Sequence, residues 1–353
     1  MKNKIRVYCD FSCLQEIYEQ CHKPIADFKQ EDKPLVWANL YSLLYEQSEL
    51  FVNLTDSKFQ DLKENPFFNK LFKDNKLYNF AEDFDKIDKK EDEFLLKIPP
   101  QTLFFLDKTP EECKNLEEDF GMLFISKTEL VQKAAWLFSW AVRSMQKKNA
   151  VYTSWEFLKE FRHPCNSLVL ADNYVLKDEK LWAENLLLIL KYLLPEKLNK
   201  QTFQLTILTD IDERDIEKRF TALEKLIKFD YKITCCVIRT PDIHDRNIIT
   251  NYAWLSSGYG FTLFSAKKVT KSTTLNFLPI TYLHTDYPKY HSIKPTTNET
   301  FSFVSEVVKG LLEDYKEIND KAQNSEATES TSRVVWFQAT NNEKQNRLLN
   351  TTF

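Results

Sequence analysis

Ser167-Leu168-Val169-Leu170-Ala171 is a continuous apolar run of strand length, closed by the polar turn Asp172-Asn173-Tyr174. Outward from it the pattern alternates. Residues 181–194 carry apolar side chains at helical spacing, and Gln204-Leu205-Thr206-Ile207-Leu208-Thr209 reads as a second strand ending at Asp210. Residues 216–229 form an amphipathic helical pattern, and 231–239 a third strand rich in β-branched residues. Strands alternating with helices of this length predict an α/β layered sheet.

The N-terminal half repeats the theme. Strand patterns fall at 5–9, 50–54, 102–106 and 122–125, with helical spacing at 12–22, 35–48, 58–73 and 111–119. Pro110 suits the first turn of the last of these. Residues 81–97 are rich in Asp, Glu and Lys and read as a solvated insertion. Leu130, Ala134, Leu137, Trp140, Ala141 and Val142 predict one long helix from 129 to about 146. Short strands are expected at 248–250 and 261–264, and a helix over 301–314. The expected organisation is two α/β domains, 1–148 and 149–317. A polar tail follows over 318–353, with the apolar knot Val334-Val335-Trp336-Phe337 placed to dock on the body or a partner.

Composition removes several function classes. Four glycines, Gly121, Gly258, Gly260 and Gly310, are too few for a P-loop or a dinucleotide fingerprint. Seven cysteines with no export signal read as reduced thiols of a cytoplasmic protein, and Cys9, Cys13, Cys21 and His22 lack zinc-ligand spacing. No apolar run approaches the roughly 20 residues of a membrane span. The net charge of −4 means that any phosphate binding must come from a local patch.

One segment carries chemistry. His244 and Arg246 lie two apart, so within a strand they would share a face. An imidazole can attack a phosphoester or move its proton, while a guanidinium grips two phosphate oxygens at once. Asn251, seven residues on, could orient the imidazole. Ser257-Gly258-Tyr259-Gly260 offers backbone amides to the same phosphate. The bland alternative is a His–Arg pair bound to a carboxylate such as Asp172 or Asp210 at the sheet edge.

This segment resembles the phospholipase D superfamily, whose signature is His-x-Lys-x4-Asp followed by a Gly-Ser turn. His244 matches the His, Arg246 stands for Lys, Asn251 for Asp, and Gly258 for the Gly. It is most similar to the degenerate branch found as the C-terminal domain behind MIT domains, with its His-Asp-Arg run and Gly-x-Gly loop. Strand 168–171 and the Asp172-Asn173-Tyr174 turn fit that branch, and the resemblance covers about residues 165–275. It implies a layered sheet and a phosphodiester-recognising site of His244, Arg246, Asn251, Asp172 and 257–260, directed at nucleic acid before lipid. Active members pair two such His motifs. None of His22, His163, His284 or His291 has Lys or Arg two residues on, so turnover as a nuclease or phosphodiesterase would need a homodimer through His244. A protein-interaction subunit of a larger complex is the remaining alternative.

Asp10 and Asp107, each after a strand pattern, are the candidate metal ligands of the N-terminal domain, in the manner of PIN-like nucleases. Mg²⁺ is expected only if those carboxylates form a nuclease site; otherwise no cofactor is called for. Tyr252, Trp254, Tyr259 and Phe261 flank the motif and are candidate base-stacking rings.

Overall fold

A computed structural model describes residues 4–24, 27, 34–55, 60, 62–73, 75, 77–79, 81–177, 179–210, 229–241, 243–284, 302–324, 333–337 and 346–350. The expected helix over 216–229 falls almost entirely outside this set. The fold is α/β, and the chain divides into two compact units, 1–138 and 139–352.

The first unit is built on a parallel sheet of five strands: β1 (Ile5–Cys9), β2 (Ser48–Val52), β3 (Leu77–Asn79), β4 (Leu103–Leu106) and β5 (Leu123–Ser126). Their order is β3-β2-β1-β4-β5. Helices α1 (Phe11–His22), α2 (Pro34–Ser42), α3 (Pro66–Lys73), α4 (Ala81–Asp88), α5 (Asp92–Leu95), α6 (Pro110–Phe120) and α7 (Leu130–Ala134) connect them. Strands β4 and β5 are buried throughout, as parallel strands covered on both faces must be. Helix α6 starts at a capping box in which Thr109 and Glu112 exchange hydrogen bonds, and Pro110 occupies its first turn. It stops at Gly121, whose φ of 62° is the left-handed conformation of a helix C-cap.

Two expectations fail in this unit. Residues 81–97 are not a solvated insertion: α4 and α5 bury Phe84, Ile87 and Leu95 among their charged positions. The periodicity of three apolar residues is outvoted in composition by the acids and lysines around them. The helix expected to reach 146 ends at Ala134 and continues only as a 3₁₀ turn over Ala135–Phe138. Residues 141–145 are instead a strand.

That strand, β6 (Ala141–Met145), opens the second unit. It is followed by β7 (Ser167–Ala171), α8 (Glu179–Glu184), α9 (Leu186–Leu193), β8 (Phe203–Thr209), β9 (Ile233–Arg239), β10 (Asn247–Thr250) and β11 (Ala253–Ser257). Then come β12 (Phe264–Ser265), β13 (Lys268–Val269), β14 (Thr273–Pro279), β15 (Leu283–His284), β16 (Ser302–Phe303), α10 (Val304–Asn324), β17 (Arg333–Phe337) and α11 (Arg347–Asn350). The main sheet has eight strands in the order β17-β9-β8-β7-β10-β11-β14-β6. Strands β7, β8 and β9 are parallel, and all the others join antiparallel. Pairing of Ala141 with Phe277 and Met145 with Thr273 sets β6, and leaves Trp140 and Val142 exposed at 55% and 40%.

One face of the sheet packs Leu168, Leu170, Leu205, Ile207 and Val237 against Trp182, Leu186, Ile189 and Leu190. Buried Trp155 belongs to the same cluster. Its indole donates to Asn185 Oδ1 at 2.9 Å, and the Asn185 amide donates on to the Phe264 carbonyl at 2.9 Å. Every polar atom of that buried amide is thereby paired. Helix α10 runs to Asn324, past the 314 expected, and the apolar knot becomes strand β17 on β9. Asn346 is buried and donates to the Leu168 and Gln204 carbonyls at 3.0 and 3.1 Å, while Arg347 reaches the Thr202 carbonyl at 2.8 Å. Among the described residues no helix is long and apolar enough to cross a membrane.

Candidate functional site

The connections of the second sheet diverge at β7. From β7 the chain steps to β8 and then β9 on one side, and afterwards returns to lay β10 on the other side of β7. Connections that diverge in this way leave a gap outside the carboxyl end of the first strand, where ligands of open α/β sheets bind. Asp172, Asn173 and Tyr174 follow β7 directly into that gap. Arg246 and His244 precede β10, and the Ser257–Gly260 loop leaves β11 at the same edge, since Asn247 pairs with both Ala171 and Ser256. Seven of the eight residues named from the motif therefore meet at one edge.

Asn251 is the exception. It lies beyond the far end of β10, where Thr250 pairs with Leu168, and is fully buried. Its carbonyl oxygen accepts from the Asn166 and Ser167 amides at 3.3 and 3.2 Å. It braces the start of β7 and does not orient His244. His244 is exposed, Arg246 half-buried, and both precede the strand, so strand alternation does not align them. Among the described residues no hydrogen bond orients the His244 imidazole. A histidine acting as nucleophile or base needs such an orienting partner. The bland alternative is also not realised as written: neither residue hydrogen-bonds Asp172 or Asp210, and Asp210 pairs with Lys177 at 3.2 Å.

Asp172 is a structural anchor. Buried completely, it accepts from the Tyr174 amide at 2.7 Å on one oxygen and from the Phe261 amide at 2.6 Å on the other. Burial raises its pKa; the backbone amides of Tyr174 and Phe261 and the charge of Arg246 oppose that rise. Gly260 has φ of 92°, and a Cβ there would sit 2.7 Å from Asp172 Oδ2. The glycine is required by this carboxylate and by its own backbone, which accounts for one of the four glycines without a ligand. Ser257 completes the loop by donating its hydroxyl to the Gly260 carbonyl at 2.6 Å. Asn173 donates to the Ile243 carbonyl at 2.7 Å, tying the turn after β7 to the segment before His244.

The exposed chemistry of this edge also includes residues that the motif did not name. Tyr174, 47% exposed, has Lys177 Nζ 4.9 Å from its ring centroid and the Arg246 guanidinium 6.0 Å from it. Tyr259, 52% exposed, has Lys271 Nζ 4.6 Å from its ring. Of the other candidate rings, Tyr252 and Phe261 are wholly buried, and Trp254 is half-buried with its indole donating to Asn247 at 2.8 Å. The signal for Tyr174 was its place immediately after an apolar strand and a polar turn. Nothing in the sequence marked Lys177 or Lys271.

In the first unit Asp10 and Asp107 do come together. They lie at the carboxyl edge between β1 and β4, where that sheet's connections also diverge. Asp10 accepts from the Asp107 amide at 2.6 Å and from the Asn53 side chain, and Asp107 accepts from the Ser12 hydroxyl at 2.8 Å. Burial raises the Asp10 pKa. Both Asp10 oxygens accept hydrogen bonds, and among the described residues no group of three His, Cys, Asp or Glu side chains is gathered as metal ligands.

No family model matches the chain, and no curated protein matches it. Among solved structures it is similar to the Argonaute of Marinitoga piezophila in complex with a 5′ OH guide RNA, at a TM-score of 0.17 and 10% identity. That match covers 88% of this chain and 49% of the other, so the chain spans about half the length of that structure. A TM-score this low carries no argument about fold or function.

Proposed function

We propose that the second unit recognises phosphodiesters, nucleic acid before lipid, through the edge carrying Arg246, His244 and the 257–260 loop, and that it does so without turnover and without a cofactor. In this reading the unit is a degenerate relative of the phospholipase-D-like domains. One observation carries it. Arg246, His244 and Lys177 gather at the point where the sheet connections diverge, while Asn251 lies at the opposite end of β10 and, among the described residues, leaves the imidazole without an orienting partner. A guanidinium at this edge can bind phosphate oxygens, whereas an imidazole without the orienter and a second histidine lacks the means to attack them.

The test is retention and cleavage of labelled DNA and RNA by the purified full chain, with Mg²⁺ or EDTA, alongside Arg246→Ala and His244→Ala. Binding that weakens in Arg246→Ala and with rising salt, is indifferent to EDTA, and leaves the strand intact is the expected result. Metal-independent cleavage lost in His244→Ala would replace this reading with an enzyme. Absence of binding would leave a protein-interaction subunit in its place.

A further inference from the structure

We infer that this edge is a stacking platform for single-stranded nucleic acid, with bases seated on the rings of Tyr174 and Tyr259; the inference rests on the phosphodiester reading above and deepens it. Two exposed tyrosines are displayed at the edge, and each has a cation over its ring: Lys177 and Arg246 for Tyr174, Lys271 for Tyr259.

Both rings stand on backbone that one carboxylate fixes. Asp172 Oδ1 takes the amide of Tyr174, and Asp172 Oδ2 takes the amide of Phe261, two residues beyond Tyr259. The Tyr259 amide itself donates to Ser257 Oγ at 3.4 Å, and that hydroxyl holds the Gly260 carbonyl. The display turns are thus set before a ligand arrives, which lowers the ordering cost of binding. A ring with a cation beside it suits a nucleotide, because the base covers the π-face while the cation meets the adjoining phosphate. Base-paired strands keep their faces stacked on one another, so the platform selects single strands. An acyl chain would gain nothing from the cations. The carboxylates of Asp210 and Asp245 at the same edge keep the positive charge local, consistent with a chain of net charge −4.

Fluorescence anisotropy of the full chain with three probes tests this: an oligothymidylate, an abasic phosphodiester of the same length, and the matching duplex. The oligothymidylate should bind about tenfold more tightly than the abasic strand, and Tyr174→Ala should remove most of that difference while Tyr174→Phe keeps it. Tyr259→Ala should act in the same direction. With Arg246, Lys177 and Lys271 as the phosphate contacts, the logarithmic salt slope should be about −2. Equal binding of base-bearing and abasic strands, with Arg246→Ala still weakening both, overturns the stacking and leaves the phosphodiester reading standing. Duplex bound as tightly as single strand overturns it as well. Failure of all three probes overturns both.

Discussion

Asp172 and Gly260 are fitted to each other: the carboxylate passes so close to the glycine that a Cβ would lie 2.7 Å from Oδ2. Asp172 thereby joins the end of β7 to the loop after β11, across β10. Gly260→Ala should cost about 2 kcal/mol or more, from the positive φ and from displacement of the carboxylate. Asp172→Ala should cost about 3 kcal/mol or more, because it strands the buried amide of Phe261. Denaturant unfolding of the two variants measures this. Wild-type stability in either would remove Asp172 as the anchor.

His163 gives a pH prediction in the second unit. Its Nδ1 lies 2.8 Å from the Phe161 carbonyl, so it carries the proton, and Nε2 accepts from the Thr250 hydroxyl at 2.7 Å. Burial lowers its pKa to about 4. The neutral ring therefore stabilises the fold fully above the ordinary histidine range near pH 6.5, and that contribution is lost as pH falls through about 4. Nitrogen-15 spectra at about pH 5 should show a neutral imidazole protonated on Nδ1. A titration midpoint near the ordinary value would contradict this.

Glu117 works in the opposite direction in the first unit. Burial raises its carboxyl to about 7, against the pull of Lys133 at 3.4 Å and the Phe124 amide at 3.2 Å. The folded state keeps the proton that the unfolded chain releases near pH 4.5. This contribution is thus complete at low pH and lost as pH rises through about 7. Glu117→Gln should flatten the decline in melting temperature between about pH 5 and 8. Parallel pH profiles for variant and wild type would rule the effect out.

Asn346 reaches into the parallel strands from residues far along the chain. Besides the two carbonyls, its amide meets Thr206 Oγ1 at 3.2 Å, and its own oxygen accepts from Leu348 at 3.0 Å. Asn346→Ala should lower stability by about 2–3 kcal/mol by leaving buried carbonyls unpaired. Thermal unfolding that matches the wild type would show those carbonyls to be satisfied otherwise.

The fold class was readable where burial is two-sided. Continuous apolar runs such as 103–106 and 168–171, of strand length and bounded by polar turns, pointed to the middle of a covered sheet. The misreadings share a cause. Residues 141–145 have no apolar alternation of their own, and only the pairing of β6 with β14 makes them a strand. Residues 253–257 likewise become a strand through pairing with β10 and β14, and 261–263, expected as strand, is coil held by Asp172. The site was half legible. His244, Arg246 and the glycine loop could be picked out as a local motif. Asn251 follows the strand that His244 and Arg246 precede, so the strand expected at 248–250 already sets it at the opposite end, a consequence that matching to a linear motif overlooks. Lys177 and Lys271 matter only because tertiary structure sets them beside exposed rings.

The eight-stranded sheet takes its two edges from the first and last strands of its unit, β6 at 141–145 and β17 at 333–337. A nascent chain can complete the five parallel strands of the first unit while most of the second is still unmade. The second sheet stays open on the β9 side until residue 337 has been added, and lacks the Asn346 plug for longer still. During that interval β9, with its Cys235-Cys236-Val237-Ile238 core, presents a bare apolar edge. Synthesis of this protein thus passes through a stage at which capture by a chaperone, or pairing with a neighbouring copy, competes with arrival of its own last strand.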